Sequence, residues 1–292
     1  MKRLVPTLAL LALLVATPAF AQQGTVHEHL LLDSELMGQQ VHYAVYLPPD
    51  YETSSRSYPI VYLLHGYTDD DVGWIQMGEM NRILDDAIAN GELPPMVVVM
   101  PDGGVTWYID SADGSAPWER MFLDEMMPAV ESEYRVRVGK RYRGIAGLSM
   151  GGWGSLTLSM RNPELFSGAA ALSAAVFQSE AITQWDPEGY DRMLGPVFGA
   201  GMQGQERLSD HFLAHSPLEL AGSLEVESLR SVRYWIDCGD DDFLTTANGR
   251  LHAVMREREI PHEYRVRDGA HVWEYWRTGL VPALAFIAES FR

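Results

Sequence analysis

Short, largely apolar runs alternate with longer stretches whose apolar residues recur every three or four positions. Ile60-Val61-Tyr62-Leu63-Leu64, Met96 to Met100, Gly168 to Ser173 and Val232 to Cys238 are runs of the first kind. They are long enough for a strand and too short for a typical helix, and a strand apolar on both sides is one buried on both faces. Asn81 to Ala89 is of the second kind, with Ile83, Leu84, Ala87 and Ile88 on one face. Trp118 to Glu133 repeats Phe122, Met126 and Val130 every four residues, and Pro128 inside it predicts a kink. Further helices are predicted over Gly152 to Met160, Leu251 to Glu259 and Val272 to Ser290, and a strand over His262 to Arg267. Gly24 to Leu32 and Gln40 to Leu47 alternate and predict two opening antiparallel strands, the second closed by Pro48-Pro49-Asp50. Buried strands alternating with helices predict an α/β fold, a mostly parallel sheet covered by helices on both faces.

One segment breaks the rhythm. From about 175 to 229 the chain is irregular, with Gly195, Gly199, Gly201 and Gly204 and scattered aromatics, and no clear strand. Two readings stay open. It is an excursion over the functional face, or a pair of peripheral helices without a role there.

The chain of 292 residues, 47% apolar, is long enough for one large α/β domain, and neither repeats nor low-complexity linkers divide it. Residues 1–21 read as a leader. Lys2 and Arg3 precede the apolar run Leu8 to Val15, which is too short to span a bilayer, and Ala19-Phe20-Ala21 is a small-residue cleavage site. The expectation is a cleaved signal peptide, one domain over 22–292, no membrane anchor, and a periplasmic or extracellular mature chain. Removing two cations and no acid takes the net charge from −18 to −20, which argues against nucleic acid and anionic membranes as partners. The lone Cys238 can form no internal disulfide and sits in an apolar run, so it reads as a small buried residue.

Against this pattern, Gly147-Leu148-Ser149-Met150-Gly151 carries chemistry. It lies between the strand-like Tyr142 to Ala146 and a helix, and strand, Gly-x-Ser-x-Gly, helix is the nucleophile-elbow arrangement. A serine on so tight a turn needs neighbours without side chains two residues away on each side. The helix that follows directs its first N–H groups at developing negative charge. Alone, the pentapeptide is equally well an ordinary turn; its context decides.

A serine hydroxyl needs a base, and on this scaffold the chain order is Ser, then Asp or Glu, then His. The loop after His262 to Arg267 offers His271. His252 and His262 lie within elements, and His211 and His215 within the irregular segment. His65 precedes the elbow, against chain order, and reads as structural. After the strand ending at Cys238, Asp240, Asp241 and Asp242 are adjacent, and chemistry alone does not choose among them. For the oxyanion hole, the backbone N–H groups of Met150 and, from the loop His65-Gly66-Tyr67-Thr68, Tyr67 are the candidates. Trp107, Tyr108 and Trp273 are candidates for lining an acyl or alcohol site. No His/Cys cluster suggests zinc, Asp69-Asp70-Asp71 lacks the spacing of a calcium loop, and no Gly-rich loop suggests a nucleotide, so no cofactor or metal is expected.

Five blocks in order, Leu63-Leu64-His65-Gly66, Met96 to Gly103, Gly147 to Gly152, Cys238 to Leu244 and His271 to Trp276, resemble the putative esterase family. That family contains tributyrin, feruloyl and acetylxylan esterases, S-formylglutathione hydrolases and antigen 85 mycolyltransferases. The resemblance implies an α/β-hydrolase fold and a serine esterase with Ser149, Asp242 and His271 as its triad, acting on a small-molecule or carbohydrate-linked ester. The family's Gly-x-x-Asp turn before Phe-Leu selects Asp242, with Asp241 the alternative. Ala270 stands where the family usually has glycine before the histidine. An acyltransferase on the same scaffold and a catalytically dead hydrolase-fold binding protein are the competing readings.

Overall fold

The computed structural model describes residues 23–292. The leader assigned to residues 1–21 lies outside the described residues. Eight strands form one sheet: β1 (Thr25–Ser34), β2 (Gln39–Leu47), β3 (Ile60–Leu64), β4 (Val97–Pro101), β5 (Arg143–Leu148), β6 (Gly168–Leu172), β7 (Arg233–Gly239) and β8 (His262–Arg267). Their spatial order is β1-β2-β4-β3-β5-β6-β7-β8. The β1–β2 and β2–β4 pairs are antiparallel and all others parallel. The expected mostly parallel, helix-covered sheet is therefore what the chain forms.

Alternation along β3 and β5 splits the core into two layers. Ile60, Tyr62, Leu64 and Ile145 face one set of helices; Val61, Leu63, Ala146 and Leu148 face the other. The helix Met150–Arg161 covers the first face. The helices Met80–Ala89 and Trp273–Ala288 cover the second, and the latter presses so close to β5 that a Cβ on Gly144 would lie 2.4 Å from Ile287 Cγ2. Every parallel strand runs to the same edge, so the loops after β3, β5, β7 and β8 meet there, as ligand-binding loops of open α/β sheets do.

Three departures from the sequence pattern have local causes. The kink expected at Pro128 is a widened turn before it: Met121–Met126 is π-helical, and Met127 N–H reaches Phe122 O. Pro128 has no N–H for Asp124 O, and its ring would strike that carbonyl, so the ladder shifts to i→i+5. The helix expected over Leu251 to Glu259 is Thr245–Glu257. Its first turn carries buried Asn248 instead of an apolar residue, and the Asn248 amide donates to Ala174 O and Leu244 O at 2.8 and 3.0 Å.

The third departure is the stretch from 175 to 229, which is helical. It holds Ser179–Gln184, Pro187–Met193, Gly195–Phe198, Asp210–Leu213, Pro217–Ser223 and Val226–Arg230. None reaches eight residues, so none repeats an apolar stripe often enough to read. The punctuation is nonetheless present. Asp186 and Ser209 cap their helices through Gly189 N–H and Phe212 N–H, and Pro187 and Pro217 open theirs. Arg207, 1% exposed, fastens the segment by donating to the carbonyls of Met202, Ile182 and Trp185. The two open readings merge. Phe198 and Phe212 of the segment pack on Trp153, while Met193 reaches the functional edge.

Candidate active site

Ser149 sits on the turn between β5 and the helix Met150–Arg161 with φ 73 and ψ −103. A non-glycine residue there is strained by about 1–3 kcal/mol and persists only if its surroundings fix it. They do. Its N–H donates to Leu172 O (3.0 Å), and its carbonyl accepts from Trp153 N–H (3.0 Å) and Ala175 N–H (2.9 Å). The glycines are sterically required. A Cβ at Gly147 would lie 2.5 Å from Gly151 C, and one at Gly151 would lie 2.4 Å from Leu64 O and 2.7 Å from His65 O.

The loop after β8 brings His271 Nε2 to 3.0 Å from Ser149 Oγ. The loop after β7 brings Asp242 Oδ2 to 2.8 Å from His271 Nδ1. Asp242 Oδ1 accepts Leu244 N–H at 2.9 Å. Burial alone would push the Asp242 pKa up. The bonds from His271 and Leu244 N–H outweigh it and hold the carboxyl below its ordinary value. An ionised Asp242 can only accept, so Nδ1 carries the proton and Nε2 is left with a lone pair for the serine hydroxyl. Asp242 is 2% exposed, whereas Asp240 and Asp241 are exposed. Asp240 Oδ1 takes the N–H groups of Asp241 and Gly269, which holds the β7 and β8 loops side by side.

Two aromatic rings grip His271. Trp276 meets it edge-on at 4.9 Å and 89°, and Phe243 at 4.7 Å. Trp276 is itself fixed by Nε1 donating to Ser173 Oγ at 3.0 Å. Sequence reasoning did not give Trp276 this part. The available signal was its place one helical turn into the helix that follows His271.

Among the described residues, neither Met150 N–H nor Tyr67 N–H bonds a protein carbonyl. Both flank the serine, one at the start of its helix and one on the loop after β3. The Tyr67 hydroxyl donates to Arg192 O at 3.1 Å, tying that loop to the helical segment. His65 is structural, as its position before the elbow implied. It is 1% exposed, its Nδ1 lies 2.7 Å from Gly66 O, and its Nε2 accepts Gly103 N–H at 2.8 Å. Cys238 is buried, and burial pushes its thiol up to about 12, so it is no thiolate at neutral pH.

A cavity of about 690 Å³ opens over Ser149 and His271, walled in part by Tyr67, Met193, Phe243 and Trp273. Of the three aromatics expected to line it, Trp273 does. Trp107 and Tyr108 do not, and that expectation is corrected here. They are 1% and 0% exposed. Trp107 donates to Met193 O at 2.9 Å and packs on Trp153 and Phe177. Tyr108 donates to His65 O at 2.8 Å and lies against Gly154, where a Cβ would come within 2.5 Å of its ring. They support the cavity from beneath. Both have positive φ (56 and 62), and no motif in the chain signals that turn.

As for cations, the carboxylates of Asp240, Asp241 and Asp268 approach within 4.8 Å of one another, all exposed. Asp70 and Asp71 serve local bonds, Asp70 to Val72 N–H and Asp71 to His29 N–H.

A family model described as Putative esterase matches residues 34–287. The chain is 27% identical over 198 residues to an endo-1,4-beta-xylanase/feruloyl esterase of Xylanibacter ruminicola, covering 61% of this chain and 27% of that protein. It thus spans only about a quarter of that relative's length. It spans about half, 52%, of an esterase of Mycobacterium tuberculosis. It is 26% identical to the diacylglycerol acyltransferase/mycolyltransferase Ag85B of Mycobacterium leprae, over 88% of this chain and 82% of that one. Among solved structures, a ferulic acid esterase superposes with a TM-score of 0.79 at 30% identity, covering 92% of this chain and 99% of its own.

Proposed function

The chain belongs to the Putative esterase family, and from that membership and the geometry around Ser149 we propose that it is a serine carboxylic-ester hydrolase working through an acyl-enzyme. The observation that carries the proposal is the position of His271, 3.0 Å from Ser149 Oγ through Nε2 and 2.8 Å from Asp242 through Nδ1. His271 takes the Ser149 proton as Oγ attacks an ester carbonyl. Asp242 holds the tautomer and stabilises the imidazolium. The N–H groups of Met150 and Tyr67 receive the oxyanion. The imidazolium returns its proton to the departing alcohol, and water, deprotonated by the same imidazole, releases the acid. The substrate class is small acyl or carbohydrate-linked esters, consistent with the feruloyl esterase names among the similar proteins. Export of the mature chain to the periplasm or outside is part of this proposal and rests on Met1 to Ala21.

The test is labelling by a fluorophosphonate probe, alongside turnover of p-nitrophenyl acyl esters, methyl ferulate and acetylated xylan. Labelling of the native chain and none of Ser149→Ala is the expected result. A native chain that neither labels nor turns over any ester would return the reading to a non-catalytic binding protein. Similarity to the mycobacterial acyltransferase favours a second reading, transfer of the acyl group to a hydroxyl acceptor. Product analysis with and without a sugar acceptor separates the two.

A further inference from the structure

The three aspartates that follow the oxyanion loop look alike in sequence and are unlike in space. Asp71 is 2% exposed and bonded to His29. Asp70 caps Val72 N–H. Asp69 does neither. Asp69 instead lines the cavity that holds Ser149 and His271. A Cβ placed on Gly66 would lie 3.2 Å from Asp69 Oδ2 and 3.9 Å from Ser149 Cβ, so the carboxylate and the nucleophile flank the same glycine. Among the described residues no side chain donates to Asp69 and no cation pairs with it. Arg277, the guanidinium on the same cavity wall, donates to Met77 O and faces Glu79 at 3.6 Å.

A half-buried carboxylate that no side chain or cation satisfies is costly. Burial pushes the Asp69 pKa up, and the nearby His65 ring and Gly66 N–H offset only part of that. Beside an oxyanion hole, its charge also opposes the charge that develops on the substrate. A donor supplied by the substrate would remove both penalties. A substrate bearing its own negative charge would add to them.

Resting on the esterase reading, we propose that Asp69 is a specificity-determining residue. It accepts a hydrogen bond from a hydroxyl of a neutral, polyhydroxylated ester and repels anionic esters. This assigns the substrate to polyol or sugar esters, with a free hydroxyl close to the reacting carbonyl.

The experiment compares kcat and KM of the native chain, Asp69→Ala and Asp69→Asn on three esters. These are an O-acetylated methyl xyloside, p-nitrophenyl acetate and the anionic mono-p-nitrophenyl succinate. Asp69→Ala should lower kcat/KM for the xyloside about 10- to 100-fold, the effect of one charge-assisted hydrogen bond. It should raise the acetate about 2- to 3-fold, because the charge opposing the oxyanion is gone, and raise the succinate about 10-fold, because a second like-charge contact is removed with it. Asp69→Asn keeps an acceptor oxygen and should restore part of the xyloside rate while keeping the succinate gain. Should Asp69→Ala not fold, Asp69→Asn alone must still raise the succinate relative to the acetate. An equal change on all three esters, or an unaltered xyloside rate, overturns the assignment of Asp69. A native chain inactive on all three and unlabelled by fluorophosphonate instead overturns the esterase reading beneath it.

Discussion

His271 Nε2 stands 3.0 Å from Ser149 Oγ, although 122 positions separate the two residues in the chain. The contact spans β5 to β8, and every intervening strand must hold register for it to form. It also requires Ser149 to keep a backbone conformation that L-residues avoid. Replacing the serine therefore tests chemistry and strain separately. Ser149→Ala should lower kcat by about 10³-fold or more and abolish fluorophosphonate labelling, with thermal stability near that of the native chain. Ser149→Gly should be equally inactive but more stable than the alanine variant by about 1 kcal/mol, because glycine tolerates φ 73. Differential scanning calorimetry of the two variants reads this, and equal melting temperatures would remove strain from the account of the elbow.

Asp242 and its neighbour Asp241 give the next contrast. Asp242→Asn should lower kcat by about 10⁴-fold, since the amide presents its NH₂ to Nδ1 and favours the wrong tautomer. Asp241→Asn, at an exposed position, should leave kcat within about twofold. Steady-state kinetics on p-nitrophenyl acetate decide it; comparable losses in both variants would mean that the contact to His271 is not the one that matters.

Trp107 and Trp273 separate support from lining. Trp107→Ala empties a site that is 1% exposed and should cost about 3–5 kcal/mol of stability. Trp273, partly exposed on the cavity wall, should cost less when cut to alanine, about 1–2 kcal/mol, with its main effect a raised KM. Urea titrations paired with kinetics check both.

Acid should act through Glu119. It is 6% exposed and accepts from Arg161 Nε at 3.1 Å, with His215 at 3.6 Å. Burial raises its pKa, but the His215 and Arg161 contacts outweigh this and hold it below the ordinary value. A carboxyl depressed in the folded state stabilises above its unfolded pKa of about 4.3 and loses that contribution as pH falls through the folded value. Stability on this account is level from pH 7 to about 5 and declines below about 4. Glu119→Gln should cost about 2 kcal/mol at pH 7 and flatten part of the acid limb in urea melts from pH 7 to 3. An unchanged acid limb would place its origin in other carboxylates, Asp242 among them.

Much of this was legible in the chain because it rests on local rules. Ile60–Leu64 and His262–Arg267 have the bounds their apolar pattern and flanking breakers imply. The elbow is readable because two glycines are the only residues that fit 2.4–2.5 Å from backbone atoms. His271 followed from element order. The short helices between 175 and 229 were not readable, since a helix of four to seven residues carries too few turns to show a period.

The sequence by itself therefore determined the alternating sheet, the turn that presents Ser149 and the order in which its partners arrive. The tertiary structure decided what depends on distance between remote segments. It brought Asp242, and neither Asp240 nor Asp241, against His271. It buried Trp107 and Tyr108, whose side chains donate to Met193 O and His65 O, away from the cavity lining. It put Asp69, alone of its triplet, on the cavity wall. A residue's type sets what bonds it can make. Which of them it makes depends on which strands lie beside it, and that is a property of the folded sheet.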